Sequence, residues 1–478
     1  MNKVIRFNAI SIALAVLVIP APGGAASLLE VYQQAIQSDP LIHEAEARRL
    51  AALEAMPQAR SSLLPQINAS GSWQDTSGSG SNVVFDNNLV PPRFRPATVD
   101  TESETTAWNV EVRQTLFRWN QIVDLKRAGK IVAKAEADRE AAQQDLIVRV
   151  ATRYFEVLGA EDRLTSIHAD RLAIARQLEQ AKQRFDVGLI AITGVQESQA
   201  AYDQAVAAEI QAKRELATAR EFLREITGEY VSSLSAPVEE FPLPSPNPAD
   251  EQSWIDLAMG QNLALVSSRL DEQIARHEIS FRRNDHYPSI DLVASTGATD
   301  AKADRNIDNS GFFPADSNFE SDSIALQVTF PLFAGGRTSS RVREAVYLHR
   351  ASHEQLQRVT RETERATRDA YLGVLSEISR VRALEQAVAS SRTALEATQA
   401  GFDVGTRTIV DVLNSQRALY QAITNYYQSR YVYIGNVLLL KQAAGTLQVQ
   451  DLEQIDRWLE DRKPPEQAIE EEEENEAS

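Results

Sequence analysis

The chain has 478 residues, of which 43% are hydrophobic and 24% are charged, and its formal net charge is -18. This composition excludes wholesale disorder and a polytopic helical membrane protein, and the negative charge argues against nucleic-acid binding, which needs a basic face. Because the chain has no cysteine, zinc ribbons, iron–sulfur clusters, thiol nucleophiles and disulfides are also excluded.

Residues 1–26 predict a secretory signal peptide. Lys3 and Arg6 form a basic start, residues 9–19 are nearly all apolar, and small residues follow up to Ala26. This order is typical of a cleaved export signal. An uncleaved membrane anchor is the weaker alternative, because the apolar run is well short of the roughly 20 residues that span a bilayer. We therefore expect export and cleavage after Ala26.

A helical stretch is predicted over about 28–61, which is rich in Ala, Glu, Arg and Leu. A strand follows over 62–73, and a second strand alternates polar and apolar residues from Trp108 to Leu116. The Gly- and Ser-rich segment between them predicts a long polar loop. Each strand is near the roughly 10 residues that cross an outer membrane obliquely.

A very long helix is predicted next, over about 121–184, because this stretch has scarcely a glycine and no proline. Its apolar residues recur at spacings of three and four, which is typical of a coiled-coil seam. The turn Phe185-Asp186-Val187-Gly188 then reverses the chain into a shorter helix over about 193–227. Glycine at the end of that turn suits a left-handed helix cap.

The second half of the chain repeats the first at a shift of a little over 200 residues, and the clearest copy of the turn is Phe402-Asp403-Val404-Gly405. Self-similarity of this kind indicates a duplicated structural unit. The second unit predicts helices over about 252–284, 337–401 and 408–444, and strands over 289–295 and 324–332. The expected division is a signal peptide (1–26), a first repeat (27–235), a Pro-rich connector (236–251), a second repeat (252–447), and a C-terminal equatorial segment with an acidic, disordered tail (448–478).

The four predicted strands cannot close a membrane barrel within one chain. Single-chain barrels begin at about eight strands, and an open sheet in lipid leaves its edges unsatisfied. Three chains together would supply twelve strands. The expected fold is therefore mainly helical, with long coiled-coil hairpins in two repeats and a membrane β-barrel shared between chains. A soluble four-stranded sheet that caps a helical rod is the alternative.

The segment Phe402 to Leu413, which reads FDVGTRTIVDVL, and the later Ala444-Gly445-Thr446-Leu447 closely resemble the TolC family of outer-membrane efflux ducts. The resemblance covers the mature chain apart from the acidic tail. It implies a homotrimer with a twelve-stranded barrel in the outer-membrane lipid, a helical tunnel across the periplasm of a Gram-negative bacterium, and a gate at the periplasmic end. The implied partners are a periplasmic adaptor protein and an inner-membrane transporter.

The implied function is a passive exit duct of a tripartite efflux or type I secretion system. No phosphate loop, nucleophile elbow or catalytic triad is visible, so we expect neither enzymatic activity nor a cofactor. A periplasmic coiled-coil scaffold or adaptor without a pore is the alternative. Long alternating strands with polar tips in both repeats favour the duct, because an adaptor needs none.

Asp411 matches the family's inward-facing aspartate at the periplasmic mouth. A threefold axis would gather three such carboxylates into a ring that favours cations. The other interpretation is a helix-capping acid three residues after Thr408, and both can hold together. A second acidic ring in some relatives would fall at Asn414, which predicts a milder cation preference here.

Arg407 and Thr193 match family positions that help to hold the tunnel shut, and Arg suits a forked hydrogen-bond donor. A solvated surface cation is the alternative for Arg407. A further link in the family joins a tyrosine to an aspartate, but this chain has Phe402 and Gly194 at those two positions. We therefore expect fewer polar contacts to hold the gate closed.

Repeat geometry places both turns at the periplasmic end, where they would contact the adaptor. The residues expected in this contact are Val187, Gly188, Leu189, Val404, Gly405 and Thr406. Two other patterns have weaker functional interpretations. His349 and His353 have the spacing of metal ligands on a helix but lack a third ligand, so a solvated helix face is the expectation and no metal site is predicted. Trp73, Trp108 and Phe117 lie near strand ends, where an interfacial aromatic girdle and packing within the sheet are both plausible.

Overall fold

The computed structural model describes residues 25–462 except 88, 239–241, 309–311 and 315. The predicted signal peptide up to residue 24 and the acidic tail from residue 463 onward lie outside the described residues. The described helices are α1 (Leu28–Ser38), α2 (Pro40–Leu53), α3 (Ala55–Ser61), α4 (Trp119–Asp186), α5 (Ile192–Thr227), α6 (Glu251–Gln261), α7 (Leu263–Arg283), α8 (Arg337–Asp403), α9 (Ile409–Ala444) and α10 (Val449–Asp456). The described strands are β1 (Gln66–Asp86), β2 (Arg93–Phe117), β3 (Ala236–Pro237), β4 (Ser289–Ile307), β5 (Phe312–Pro314), β6 (Ser317–Thr329) and β7 (Leu459–Glu460).

Two long helical hairpins dominate the molecule. Helix α4 has 68 residues and α5 has 36, while α8 has 67 and α9 has 36. At 1.5 Å per residue the longer helices reach about 100 Å. Buried residues such as Val150, Tyr154 and Leu158 recur at spacings of three and four along α4. The predicted pair of coiled-coil hairpins is confirmed, with helix ends within about two residues of the predicted ones.

The two helical stretches that precede the strands are interrupted, contrary to the prediction of one helix each. The carboxylate of Asp39 accepts a hydrogen bond from the Leu41 N–H at 3.0 Å and caps α2, which starts at Pro40. In the second repeat, the Asn262 side chain accepts from the Leu265 N–H at 2.9 Å and starts α7. Proline and side-chain capping residues begin new helices and so interrupt the old ones.

The large sheet is antiparallel, in the order β1-β2-β4, with β5 and β6 along the far side of β4. The predicted strand lengths were wrong: β1 has 21 residues, β2 has 25 and β4 has 19. The Gly- and Ser-rich segment predicted as a loop is paired, with Gly78 opposite Thr101. Backbone pairing continues through polar residues because it uses only main-chain groups. The prediction ended the strands too early because it relied on the positions of apolar side chains.

The sheet has one apolar face and one polar face. The register aligns Ile67, Val112, Ala294 and Ile324 across the four strands. The next position along aligns Asn68, Glu111, Ser295 and Ser323 on the opposite face. Ile67 and Ile324 are mostly exposed. An exposed apolar face opposite a polar one is the pattern of a barrel with lipid outside and water inside.

The outer edges of β1 and β6 are unpaired within the described residues. Unpaired strand edges bind further strands, and they cannot remain open in lipid. None of the described helices is long and apolar enough to cross a bilayer.

The first helix and the last elements of the described chain meet beside the middle of α4. Strand β3 pairs with β7, and the Leu29 N–H of α1 donates to Asp456 Oδ1 of α10 at 3.4 Å. Buried Asp162 accepts a hydrogen bond from the Tyr431 hydroxyl at 2.5 Å and also pairs with Arg462. These contacts join the C-terminal segment to α4 and α9, so both repeats are fastened together at this level.

Candidate functional site

The two hairpin tips have the same backbone geometry. Gly188 and Gly405 each have φ of 76°, as the predicted left-handed caps require. The Gly188 N–H donates to the Phe185 carbonyl and the Leu189 N–H to the Arg184 carbonyl, both at 2.8 Å. At the second tip the Gly405 N–H donates to the Phe402 carbonyl, and the Thr406 N–H donates to the Gly401 carbonyl. This Schellman arrangement satisfies the last carbonyls of α4 and α8 and turns each chain sharply.

The tips expose apolar side chains to solvent. The exposed fraction is 69% for Val187, 73% for Leu189 and 74% for Val404, and Thr406 is also exposed. All six residues predicted to contact an adaptor lie on these two turns. Contiguous exposed apolar surface is typical of a binding surface.

Asp411 forms a complete capping box at the start of α9. The Thr408 N–H and hydroxyl both donate to Asp411 Oδ2, at 2.9 Å and 3.0 Å, and the Asp411 N–H donates back to the Thr408 hydroxyl at 3.3 Å. The bonds from Thr408, with a smaller contribution from the positive charge of Arg407, lower the pKa of Asp411. The capping interpretation is therefore confirmed. The carboxylate ring needs three copies and stays a prediction.

The first hairpin has no such box. Helix α5 begins after Ala191, which makes no side-chain capping bond, and Gly194 occupies the place of Asp411 in the repeat. Asn414 lies one turn beyond Asp411 with its side chain exposed. The position that Asp411 holds in the second hairpin is therefore uncharged in the first, and Asn414, one turn beyond Asp411, is uncharged as well.

Arg407 and Thr193 lie exposed on different hairpins. In the described part of the chain neither side chain has a hydrogen-bond or ion-pair partner. The Arg407 N–H donates to the Gly401 carbonyl at 3.1 Å, and a Cβ on Gly401 would lie only 2.8 Å from Arg407 Cγ. The stem of Arg407 is therefore fixed against α8, and its charged end remains available to another chain.

Arg184 makes a contact between the two hairpins that the sequence did not predict. Its guanidinium lies over the Phe402 ring, 4.4 Å from the centroid, and Nη2 donates to Asp403 Oδ1 at 3.0 Å. Phe402 is buried in a small apolar cluster where all four hairpin helices meet. Arg184 therefore ties the end of α4 to the end of α8. One sign in the sequence indicated a special role for Arg184: the second repeat has Gly401 at the matching position.

Two amide side chains add further links between the hairpins. Gln416 Nε2 donates to Asp170 Oδ1 at 2.8 Å, which joins α9 to α4. Gln177 Nε2 donates to Gln399 Oε1 at 3.0 Å, which joins α4 to α8. Burial raises the pKa of Asp170, against the opposing effect of the bond from Gln416. The expected loss of the tyrosine–aspartate link is thus accompanied by other polar links near the tips.

The two histidines with metal-ligand spacing have separate protein partners. His349 Nε2 lies 2.6 Å from Glu272 Oε1 on α7, and His353 Nε2 lies 3.1 Å from Gln357 Nε2 on its own helix. No group of three metal-ligating side chains occurs among the described residues. His349 serves the packing of α8 against α7 rather than a purely solvated face.

Comparison with known proteins decides the family. The model of the family described as "Outer membrane efflux protein" matches residues 31–229 and 254–446. The chain belongs to the outer membrane efflux protein family. Its members are channel proteins rather than enzymes, and this protein is an outer-membrane exit duct for efflux or secretion. The alternative of a periplasmic scaffold without a pore is not supported.

Individual relatives agree with this family. The chain is similar to the outer membrane protein TolC of Vibrio cholerae, at 38% identity over 91% of this chain and 94% of the relative. It is also similar to TolC of Escherichia coli, at 36% identity over 90% and 84%. The crystal structure of VceC from Vibrio cholerae has the same fold, with a TM-score of 0.69 at 19% identity over 87% of this chain and 96% of that one.

Proposed function

We propose that three copies of the chain close one twelve-stranded barrel and form a gated duct from the periplasm to the outside. The observation that carries this proposal is the amphipathic sheet whose outer edges, on β1 and β6, are unpaired in the described residues. Each chain supplies four long strands, fewer than the roughly eight of the smallest single-chain barrels. Pairing of β1 with β6 of a neighbouring copy would remove both edges at once.

The proposed chain organisation follows the repeat. After removal of residues 1–26, the first repeat (27–235) and the second (252–447) would each supply two strands and one hairpin. The connector (236–251) and the segment from 448 onward would form the belt around the middle of the helical body. The duct itself would be passive, and the inner-membrane transporter would supply the energy and the direction of transport.

The gate is proposed to lie at the hairpin tips, with three Asp411 carboxylates around the axis. Within one chain the bonds from Thr408 lower the pKa of Asp411, which favours the charged form. Arg407 and Thr193, which lack partners within the described residues of one chain, would link neighbouring copies. Asn414 would line the next level of the mouth without charge. Cations would then pass the closed mouth more easily than anions.

Single-channel recording in planar bilayers tests this gate. We expect wild-type trimers to give a small, cation-preferring conductance, and Asp411→Ala to lose most of that preference because the carboxylates are removed. Thr408→Ala is the matched control. It breaks the same capping box, at a cost of about 1 kcal/mol, but keeps the charge, so its ion preference should stay near that of wild type.

Two results would contradict the carboxylate ring. If Asp411→Ala trimers keep the wild-type ion preference, Asp411 acts only as a helix cap. If Thr408→Ala loses the preference as fully as Asp411→Ala, the cap rather than the charge sets the conductance. Verified trimers that form no pores at all would instead contradict the shared barrel.

A periplasmic adaptor is proposed to dock on the two tips, and an inner-membrane transporter to deliver cargo through it. The curated relatives include the alkaline protease secretion protein AprF of Pseudomonas aeruginosa, 28% identical over 90% of this chain. Both tripartite efflux and type I secretion are therefore proposed routes. The exposed Val187, Leu189 and Val404 would contact an apolar surface of the adaptor.

Valine substitution at the tips tests the docking. We expect Gly188→Val and Gly405→Val to reduce adaptor capture at least tenfold, because both glycines have φ of 76° and a β-branched residue strongly disfavours that region. Apart from the adjacent residues, no atom of the described chain lies within 4 Å of either added Cβ, so trimers should still form. The measurement is pull-down of the adaptor by purified trimers.

Two polar substitutions sharpen the result. Leu189→Ser removes tip contact area without backbone strain and should also weaken capture. Ile210→Ser is the control, because Ile210 is an equally exposed apolar residue on α5 but lies away from the tips. Capture that is unchanged in both glycine variants, or equally weakened by Ile210→Ser, would refute docking at the tips.

A further inference from the structure

A cleft of about 570 Å³ opens where the sheet meets the helices. It lies beside the end of β2 and the start of β4, between the first residues of α4 and the last turn of α7. Strands β2 and β4 are the inner strands of the sheet. A neighbouring copy that pairs along the outer edges would therefore leave this cleft uncovered.

Aromatic side chains form one wall of the cleft. Phe117 and Trp119 lie with ring centroids 6.3 Å apart, and both are partly exposed, as is Tyr287. Phe117 is in register with Ile290, which pairs with Val328 on the apolar face of the sheet. The cleft therefore continues the apolar face at its helical end, the position of the aromatic girdles that meet lipid headgroups.

The other wall offers two hydrogen-bond donors that lack partners within the described residues. Asn284 is only 8% exposed, yet none of the residues that the structure describes accepts a hydrogen bond from its side-chain nitrogen. Arg283 beside it is exposed, and no ion pair or hydrogen bond engages its side chain in the described part of the chain. The preceding Arg282 is different, since it pairs with Glu278 at 2.7 Å. A buried, unsatisfied donor needs a partner, and here a cation stands next to it.

We propose that this cleft binds an anionic phospholipid of the periplasmic leaflet. Its phosphate would accept hydrogen bonds from Arg283 and Asn284, because charge-assisted bonds to phosphate suit an arginine. Its acyl chains would run along the apolar face past Phe117. Trp119 and Tyr287 would lie at the level of the glycerol backbone. This inference rests on the outer-membrane location of the sheet and is independent of the gate.

Native mass spectrometry of delipidated trimers tests the site, with phosphatidylglycerol as the probe. We expect Arg283→Gln to weaken phosphatidylglycerol binding about tenfold, the size of one charge-assisted hydrogen bond. Arg282→Gln is the matched control and should change binding less than twofold, because Arg282 does not line the cleft. Asn284→Asp, which sets a negative charge against the phosphate, should weaken binding at least as much in trimers that remain assembled.

Competing ligands separate the lipid from simpler explanations. Neutral diacylglycerol and inorganic phosphate should each bind much more weakly than phosphatidylglycerol, because each supplies only half of the contacts. Equal binding of diacylglycerol would reduce the site to apolar contact, and phosphate that binds as tightly as the lipid would indicate a soluble anion as the ligand. Equal losses in Arg283→Gln and Arg282→Gln would show a diffuse charge effect and overturn the proposal.

Discussion

Replacing Gly445 by alanine is expected to lower the thermal midpoint of the protein strongly and to reduce the yield of assembled trimers. Gly445 ends α9 with φ of 75°, and an added Cβ would lie 2.2 Å from the Gln261 carbonyl oxygen. The left-handed conformation costs about 1–2 kcal/mol for alanine, and overpacking adds about 1–3 kcal/mol. Together these are a large share of a typical stability of about 5–15 kcal/mol. The measurement is the yield and thermal midpoint of purified trimers.

Gly405→Ala is the matched control. Gly405 has nearly the same φ, 76°, but nothing lies within 4 Å of its added Cβ. Gly405→Ala should therefore lose only the stability that the left-handed conformation costs, about 1–2 kcal/mol. Its trimer yield should stay close to that of wild type. If both variants lose the same stability, the approach of Gly445 to Gln261 has no energetic weight.

The surroundings of Gly445 explain why so close an approach is kept. The neighbouring Asn262 caps α7 and also donates to the Ala443 carbonyl at 2.9 Å. Gln144 on α4 donates to the Leu447 carbonyl at 3.1 Å. The end of α9 is thereby fixed to the start of the second repeat and to the first long helix. A shift that relieved the clash would break these bonds together.

The long helices and the tips could be predicted from the sequence because their signals are local. Runs without proline, apolar spacings of three and four, and the glycine of Phe-Asp-Val-Gly each act within a few residues. The capping box was also visible, since Thr408 and Asp411 are three residues apart. For such features the local physics and the final fold agree.

The strand ends and the gate contacts depend on residues far apart in the chain. Strand β1 continues through glycine and serine because β2 lies beside it along its whole length, and no local pattern reveals that partner. Likewise Arg184 and Asp403 are 219 residues apart. The repeat alignment shows only that Arg184 has no copy at Gly401. It does not show that the guanidinium crosses to the other hairpin.

In the proposed gate, the residues of a single chain make two kinds of contact. Links within the chain, from Arg184 and Gln416, hold its two hairpins together. Arg407 and Thr193 have no side-chain partner in the described part of the chain, which suits links between copies. Opening the proposed gate requires the hairpins to separate. Variants of Arg184 or Gln416 should loosen contacts within one chain, whereas variants of Arg407 or Thr193 should loosen contacts between copies.

Replacing Arg184 by alanine is expected to make the duct easier to open. The variant loses a cation–π contact of about 0.5–2 kcal/mol and an ion pair worth about 0–1 kcal/mol. The ion pair is discounted because the Asp403 side chain is 54% exposed. A loss of about 1–2 kcal/mol shifts the closed-to-open ratio of each chain about 5- to 30-fold. Single-channel recording should show more frequent openings and a larger mean conductance.

Two further variants separate the contribution of the ion pair with Asp403 from that of the contact with the Phe402 ring. Asp403→Asn removes the ion pair but leaves the guanidinium over Phe402, so it should produce only a small increase in opening. Arg184→Lys keeps the charge but loses the planar stacking and the forked donor, so it should fall between wild type and Arg184→Ala. If Arg184→Ala trimers gate like wild type, the contact with Phe402 and Asp403 does not hold the tips together. If Asp403→Asn opens as readily as Arg184→Ala, the ion pair rather than the ring carries the closure.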